Sequence, residues 1–151
     1  MPRIVREAEI DWTGTTARGS GVVKAVSTGS FELPSTIASR IEVEQGKTSP
    51  EELLAAAHAT CFVTSLGSEL ARLGTPPERM VVHCTITMDE VAGAGHRIVA
   101  SDIAARAVVP GADAETFGAA AKAADAGCSF SALIRASATV SVDAVLEEGG
   151  S

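Results

Sequence analysis

A long apolar segment after a strong helix start is the feature that most restricts the fold of this chain. Ser49 is placed to cap the helix, Pro50 to open its first turn, and Glu52 to complete a capping box. The segment that follows, LLAAAHATCFVTSLGSELARLG, is apolar or small nearly all round for roughly four turns, which is typical of a helix buried on every side. Gly74 and the two prolines after it predict where the helix ends. We therefore expect one long central helix surrounded by the rest of the fold.

Strand-like runs lie on both sides of this helix. The N-terminal third holds three of them, IVREAEIDW, GSGVVKAVST and TIASRIEV, which predict a β meander. After the helix, MVVHCTITMDEVA and RIVASDIAARAVVP alternate in polarity and predict a β hairpin. Asp113 is placed to cap a second helix, a third short helix begins near Ser129, and ATVSVDAVL predicts a closing strand. Because no repeat or linker interrupts the chain, residues 1–151 are expected to form one domain of the α+β class.

Charge and composition argue against several classes of protein. Hydrophobic residues make up 46% of the 151 residues and charged residues 21%, as in ordinary folded proteins. The net charge of -7 and the scattered positions of the 12 Lys and Arg argue against a nucleic-acid partner. The first residues lack an apolar signal region, and no later window approaches the length of a membrane span. We therefore expect no membrane partner and a cytoplasmic location.

The three cysteines are Cys61, Cys84 and Cys128. In the cytoplasm an odd number of cysteines indicates reactive or buried thiols rather than a disulfide framework. Alternation along its strand places Cys84 on the apolar face, so we expect a core residue without chemistry. His83 lies on the opposite face and is expected at the surface or at an interface.

Cys61 lies in the middle of the apolar helix, where periodicity alone favours a core residue. His58 precedes it by one turn, and hydroxyl side chains occur nearby at Thr60, Thr64 and Ser65. His58 or an arginine could lower the pKa of the thiol and make it a nucleophile. A satisfied interior histidine, with hydroxyls bonded back to helix carbonyls, explains the same residues. Both interpretations stay open from the residues alone.

Cys128 follows Gly127 and precedes the short helical run SFSALIRA, with Ser129 or the cysteine itself near the N-cap. A thiol at a helix N-terminus faces unpaired amides and the positive end of the helix dipole, which lowers its pKa. A structural and a reactive role are equally compatible with this position. Sequence spacing cannot show whether Cys61 and Cys128 meet in space.

The segments TSPEELLAAAHATCF, VPGADAETF and AGCSFSALI, followed by a final strand, resemble the osmotically inducible protein C and organic hydroperoxide resistance family over nearly the whole chain. His58 and the VPGADAETF segment favour the osmotically inducible branch. The resemblance implies an intertwined homodimer with two peroxidase sites at its interface. It also implies a thiol peroxidase that needs no cofactor or metal, reduces organic hydroperoxides and is recycled by an external dithiol.

The resemblance also implies roles for particular residues. Cys61 matches the peroxidatic cysteine and Cys128 the resolving cysteine, while Glu51 and an arginine set the environment of the thiolate. Arg40 is the most plausible arginine, and Arg18 is the competing placement. One position departs from the family pattern, because Ser129 stands where the family commonly has proline.

Helix geometry adds a constraint on Glu51. Glu51 and Cys61 are ten residues apart, which corresponds to roughly 15 Å along one continuous helix. A glutamate side chain cannot span that distance. Either the helix is broken, or Glu51 serves the Cys61 site of a partner subunit across a two-fold axis. We expect the second arrangement.

Two alternatives from other classes of protein remain. In the first, His58, Cys61 and Cys128 bind a metal, since His and Cys at i and i+3 of a helix can share one. In the second, the protein is a non-enzymatic dimer whose apolar pocket holds a small ligand. For the peroxidase, an apolar lining that favours a fatty or aromatic peroxide is available from four side chains. These are Leu53, Phe62, Phe130 and Leu133.

Overall fold

The computed structural model describes residues 2–148 and divides into two compact units, Met1–Leu53 and Leu54–Ser151. The strands are β1 Ala8–Thr13, β2 Ser20–Ala25, β3 Glu32–Ser35, β4 Arg79–Val91, β5 Gly95–Val108 and β6 Thr139–Glu147. The helices are α1 Ile37–Ile41, α2 Pro50–Arg72, α3 Ala114–Gly127 and α4 Ser129–Arg135. This mixture confirms the α+β class. The expectation of a single domain over residues 1–151 stays a prediction.

The N-terminal unit is built on an antiparallel meander with the strand order β1-β2-β3, as predicted. Trp12 lies opposite Gly21, where a Cβ atom would come within 2.7 Å of the indole ring. Glycine at that position therefore lets the indole lie across β2. All six residues of β1 are exposed in the single chain.

The prediction of a third strand in the segment TIASRIEV was wrong. The segment TIASRIEV contains the short helix α1, and the third strand lies one element earlier, in β3. The reason is a local capping box, in which Thr36 accepts a hydrogen bond from the Ser39 amide and Ser39 accepts one from the Thr36 amide. Such side-chain bonds compete with strand pairing and favour a helix start.

Helix α2 begins and ends where the sequence predicts. The Ser49 hydroxyl accepts a hydrogen bond from the Glu52 amide at 3.2 Å, whereas the Glu52 carboxylate bonds the Thr48 hydroxyl at 2.8 Å. At the other end Gly74 has a φ of 77°, and the Thr75 amide donates to a carbonyl five residues earlier. The positive φ explains why glycine ends this helix.

The burial of α2 differs from the prediction. Its fully buried residues are spaced by four and form a single stripe: His58, Phe62, Leu66 and Leu70. The other faces of α2 are partly or fully exposed in the single chain, so this chain alone does not bury the helix on every side. By length and composition α2 could also cross a membrane, which makes the expectation that no segment approaches a membrane span too strong. Three residues of the stripe, Phe62, Leu66 and Leu70, belong to the core cluster of the C-terminal unit.

The C-terminal unit contains a sheet with the strand order β4-β5-β6. Strands β4 and β5 form the predicted hairpin, and β6 pairs with β5 in parallel. Asp113 caps α3 as predicted, since its carboxylate accepts a hydrogen bond from the Thr116 amide at 2.7 Å. The buried face of β5 alternates regularly and carries Ser101, Ile103, Ala105 and Ala107. A serine therefore lies in a core row that is otherwise apolar.

Candidate active site

Two thiols from different helices meet in the C-terminal unit. Cys61 lies in the middle of α2 and Cys128 is the N-cap of α4. The Cys128 thiol donates to the Cys61 sulfur, and the two Sγ atoms are 3.1 Å apart. Cys128 is only 1% exposed, whereas Cys61 is partly accessible. A molecule arriving from solvent therefore encounters Cys61 first.

The surroundings of Cys61 favour its thiolate. Partial burial opposes ionisation, but hydrogen bonds from the Phe130 amide, from Cys128 and from Ser129 outweigh it, so the pKa of Cys61 lies below its ordinary value. These donors come from the start of α4 and from the cysteine that caps it. The pKa of Cys61 is therefore lowered by groups that are far away in the sequence.

Cys128 itself, rather than Ser129, caps α4. Its sulfur accepts a hydrogen bond from the Ser131 amide at 3.5 Å. Ser129, which stands where the family commonly has proline, places its hydroxyl 3.9 Å from the Cys61 sulfur. The departure from the family pattern thus adds a polar group beside Cys61.

His58 is a fully buried histidine that is satisfied by two hydroxyl groups. Its Nδ1 atom is 2.6 Å from the Ser101 hydroxyl, and its Nε2 atom is 2.8 Å from the Ser131 hydroxyl. Burial lowers the pKa of His58, so the ring is neutral at physiological pH. The hypothesis that His58 supplies a positive charge to Cys61 is therefore wrong, and the alternative of an interior histidine describes it.

The threonine hydroxyls of α2 are bonded back to helix carbonyls, which is the second of the two interpretations given above. Thr60 donates to the Ala56 carbonyl at 2.7 Å, and Thr64 donates to the Cys61 carbonyl at 2.9 Å. Both hydroxyls satisfy helix carbonyls instead of lining a polar path to the thiol.

Cys84 packs against the core as expected. Its sulfur is 3.3 Å from the Ser101 hydroxyl and 3.8 Å from Nδ1 of His58. Burial raises the pKa of Cys84, which keeps it a thiol rather than a thiolate. His83, on the other face of β4, is exposed.

The alternative metal site is not formed. Both ring nitrogens of His58 contact serine hydroxyls, so neither is directed at the cysteine pair. Within residues 2–148, no group of three or more His, Cys, Asp or Glu side chains is arranged to hold a metal ion.

Arg40 and Glu51 form an ion pair in the N-terminal unit. Arg40 lies in the last turn of α1, and its Nε atom is 2.8 Å from one carboxylate oxygen of Glu51. The pair is held by this single contact and is not bidentate. Among residues 2–148, the second Glu51 oxygen is buried without a hydrogen-bond partner. Arg18 lies in the turn after β1, and Glu51 pairs with Arg40 instead.

The structure also corrects the predicted substrate lining. Phe62 is 0% exposed and belongs to the core cluster, so it cannot line an open site. Phe130 and Leu133 of α4 are exposed and remain available.

Solved structures with the same fold are known. An organic hydroperoxide resistance protein OsmC from Legionella pneumophila superimposes with a TM-score of 0.74 at 20% identity, covering 95% of this chain and 98% of that one. The organic hydroperoxide resistance protein OhrB of Bacillus subtilis gives 0.70 at 18% identity, covering 92% and 98%. At these identities the similarity shows the fold.

Sequence similarity defines the family. A model of the OsmC-like protein family matches residues 43–143. Peroxiredoxin OsmC of Escherichia coli is 34% identical over 137 residues, which cover 91% of this chain and 94% of that protein. The chain therefore belongs to the OsmC-like family, which confirms the resemblance seen in the sequence.

Sequence reasoning missed the chain of contacts formed by Ser101, His58 and Ser131. One signal could have indicated it, because Ser101 is a polar residue at an inward position of an alternating apolar strand. A buried hydroxyl in such a row requires a hydrogen-bond partner from another element.

Proposed function

We propose that this protein is a cysteine-based peroxidase that reduces organic hydroperoxides through Cys61 and Cys128. The observation that carries the proposal is the pair of sulfur atoms 3.1 Å apart, one accessible and one buried. Cys61 has the lowered thiol pKa that a nucleophile needs. The relatives named as peroxiredoxin and as hydroperoxide resistance proteins support the same chemistry.

The first step is an attack by the Cys61 thiolate on the distal oxygen of the hydroperoxide. The O–O bond breaks as an S–O bond forms, which oxidises the sulfur by two electrons and reduces the peroxide to an alcohol after protonation. Cys61 is left as a sulfenic acid. Donors from the start of α4 stabilise the thiolate before the reaction.

The second step joins the two sulfurs. The Cys128 sulfur attacks the Cys61 sulfenic acid, a disulfide forms and water leaves. The sulfurs need to close by about 1 Å, from 3.1 Å to the ordinary S–S bond length. An external dithiol then reduces the disulfide and restores both thiols, and neither step calls for a cofactor. A cytoplasmic location suits this cycle, because that compartment supplies reduced dithiols.

We assign supporting roles to Arg40 and Glu51 in a homodimer. Helix α2 is continuous from Pro50 to Arg72, so the possibility of a broken helix between Glu51 and Cys61 is excluded. Because Arg40 is paired with Glu51, both side chains reach the same site. In the proposed dimer this pair serves the partner's Cys61, where the guanidinium stabilises the thiolate and the developing charge. The exposed, small-residue faces of α2 around Ala56 suit close packing of two helices.

A heterodimer tests whether Glu51 acts across the interface. One tagged chain carries Cys61→Ser and the other, with a different tag, carries Glu51→Gln; the mixed dimer is isolated through both tags. Peroxidase activity of about half the wild-type value is expected, because one site then combines an intact Cys61 with the partner's intact Glu51. Activity as low as that of either homodimer would place Glu51 in its own chain's site. A fully active wild-type monomer in solution would contradict the dimer itself.

Mapping of thiols tests the two-cysteine cycle directly. One equivalent of cumene hydroperoxide is expected to leave Cys84 as the free thiol and to join Cys61 to Cys128. Peptide mass mapping without reductant identifies the bond, and thiol titration of the denatured protein counts what remains. A protein whose three thiols all survive the treatment would instead be a non-enzymatic, ligand-binding member of the family.

A further inference from the structure

Three fully buried polar side chains connect three elements of the C-terminal unit. His58 of α2 contacts Ser101 of β5 through Nδ1 at 2.6 Å and Ser131 of α4 through Nε2 at 2.8 Å. All three residues are 0% exposed. Apart from His58 and Cys128, no titratable side chain described within residues 2–148 is buried to this degree.

Stability alone does not explain such a chain of contacts. Each buried polar group loses its hydration, and the hydrogen bonds gained inside the protein roughly offset that cost. A well-packed apolar side chain would fill the same space at least as favourably. What the imidazole adds is direction, because a neutral ring donates from one nitrogen and accepts at the other along fixed lines.

Ser131 links this chain to the cysteine pair. Its hydroxyl contacts His58, and its backbone amide donates to the Cys128 sulfur at 3.5 Å. The residue therefore lies between the buried histidine and the buried thiol. Any shift of Ser131 moves the donor that faces Cys128.

Helix α4 depends on outside contacts for its position. It has only seven residues, and a helix of this length is marginal in water without tertiary contacts. At its C-terminal end Arg135 is held by Asp125 at 2.7 Å. In its first turn, the Ser131 hydroxyl contacts the fully buried His58 at 2.8 Å.

We propose that His58 is a positioning residue that holds the first turn of α4 through Ser131, so that Cys128 stays within reach of Cys61 during turnover. This inference rests on the proposed peroxidase function and concerns its second step. The two sulfurs must approach each other from 3.1 Å to bonding distance, so their placement sets the rate of disulfide formation. A misplacement of about 1 Å costs about 100-fold in rate when two groups must meet.

The two serines provide a matched pair of variants. Ser101 and Ser131 are equally buried and contact opposite nitrogens of one ring. Ser131→Ala breaks the link to α4, whereas Ser101→Ala leaves it intact. Both variants lose one buried hydroxyl, so a general loss of stability affects them alike.

The histidine itself provides a second matched pair. The amide of His58→Gln reaches the place of Nε2 and can still bond Ser131, whereas that of His58→Asn reaches only the place of Nδ1. Both side chains are polar and smaller than the imidazole ring, so both disturb the packing. If Gln restores the rate of disulfide formation and Asn does not, the contact with Ser131 is what matters, and not the packing. This pair also serves if a serine variant does not fold.

The experiment is a single turnover with cumene hydroperoxide, followed by quenching at successive times. Cys61 sulfenic acid is trapped with a dimedone-type reagent, the Cys61–Cys128 disulfide is measured by mass, and melting temperatures are recorded. Ser131→Ala and His58→Asn are expected to form the disulfide about 10- to 100-fold more slowly and to accumulate sulfenic acid. Ser101→Ala and His58→Gln are expected to stay within about threefold of wild type.

Two kinds of result overturn the inference. If the two serine variants slow the disulfide step equally, or if folded Ser131→Ala and His58→Asn form it at the wild-type rate, His58 does not position Cys128. If wild type itself forms neither sulfenic acid nor disulfide, the proposed peroxidase function fails and this inference fails with it.

Discussion

Replacing Cys61 with serine is expected to abolish peroxide consumption. The hydroxyl of serine is far more weakly acidic than the thiol, so the hydrogen bonds that lower the pKa of Cys61 cannot make it an anion at neutral pH. Loss of a covalent nucleophile typically costs at least about 1,000-fold. The measurement is the turnover of cumene hydroperoxide and of hydrogen peroxide with a dithiol reductant. A comparison of the two peroxides also reports on the preference for an apolar substrate.

Cys84→Ser is the matched control for this variant. Cys84 packs against the core, and burial raises its pKa, so it lacks the ionisation of a nucleophile. Activity of Cys84→Ser is expected to stay within about twofold of wild type. Turnover that survives in Cys61→Ser but disappears in Cys84→Ser would show that Cys84, and not Cys61, is the reacting thiol.

Replacing Cys128 with serine is expected to separate the two steps of the cycle. Cys61 should still reduce the first equivalent of peroxide, because its thiolate keeps the amide donors of Ser129 and Phe130. The sulfenic acid then has no thiol 3.1 Å away to condense with. A second peroxide converts it to the sulfinic acid, which ordinary dithiols do not reduce. Activity should therefore fall by about tenfold or more within the first turnovers.

Intact mass after peroxide treatment distinguishes the outcomes for Cys128→Ser. A gain of two oxygen atoms on Cys61 is the expected product, whereas wild type should show only the loss of two hydrogens. Sustained turnover of Cys128→Ser at the wild-type rate, without oxygen addition, would show that an external thiol resolves the sulfenic acid directly.

The parts of the fold that depend on local signals could be predicted from the sequence. Ser49 and Asp113 cap their helices, Gly74 ends α2 with a positive φ, and the hairpin follows two alternating runs. Local competition explains the one misplaced strand. Alternation in TIASRIEV favours a strand, but the mutual capping of Thr36 and Ser39 decides for a helix.

The candidate site depends on contacts between distant residues, which local signals do not contain. His58 contacts partners 43 and 73 residues away, and the two sulfurs are separated by 67 residues. Composition could indicate that α2 is able to bury every face, but not which faces the rest of this chain covers. The family resemblance supplied the pairing of Cys61 and Cys128. It did not indicate that the buried His58 contacts Ser131, whose amide donates to the Cys128 sulfur.

The unequal burial of the two thiols has a consequence for how the oxidised protein is recycled. A thiolate that cleaves a disulfide approaches along the S–S axis and expels the sulfur at the far end. With Cys128 only 1% exposed, an external dithiol has access to the Cys61 sulfur alone. In the proposed cycle the mixed disulfide is therefore expected to form at Cys61, and Cys128 is expected to leave as the anion with the Ser131 amide as its hydrogen-bond donor. In that cycle, the burial that shields Cys128 from peroxide is also expected to give the reduction a single regiochemistry.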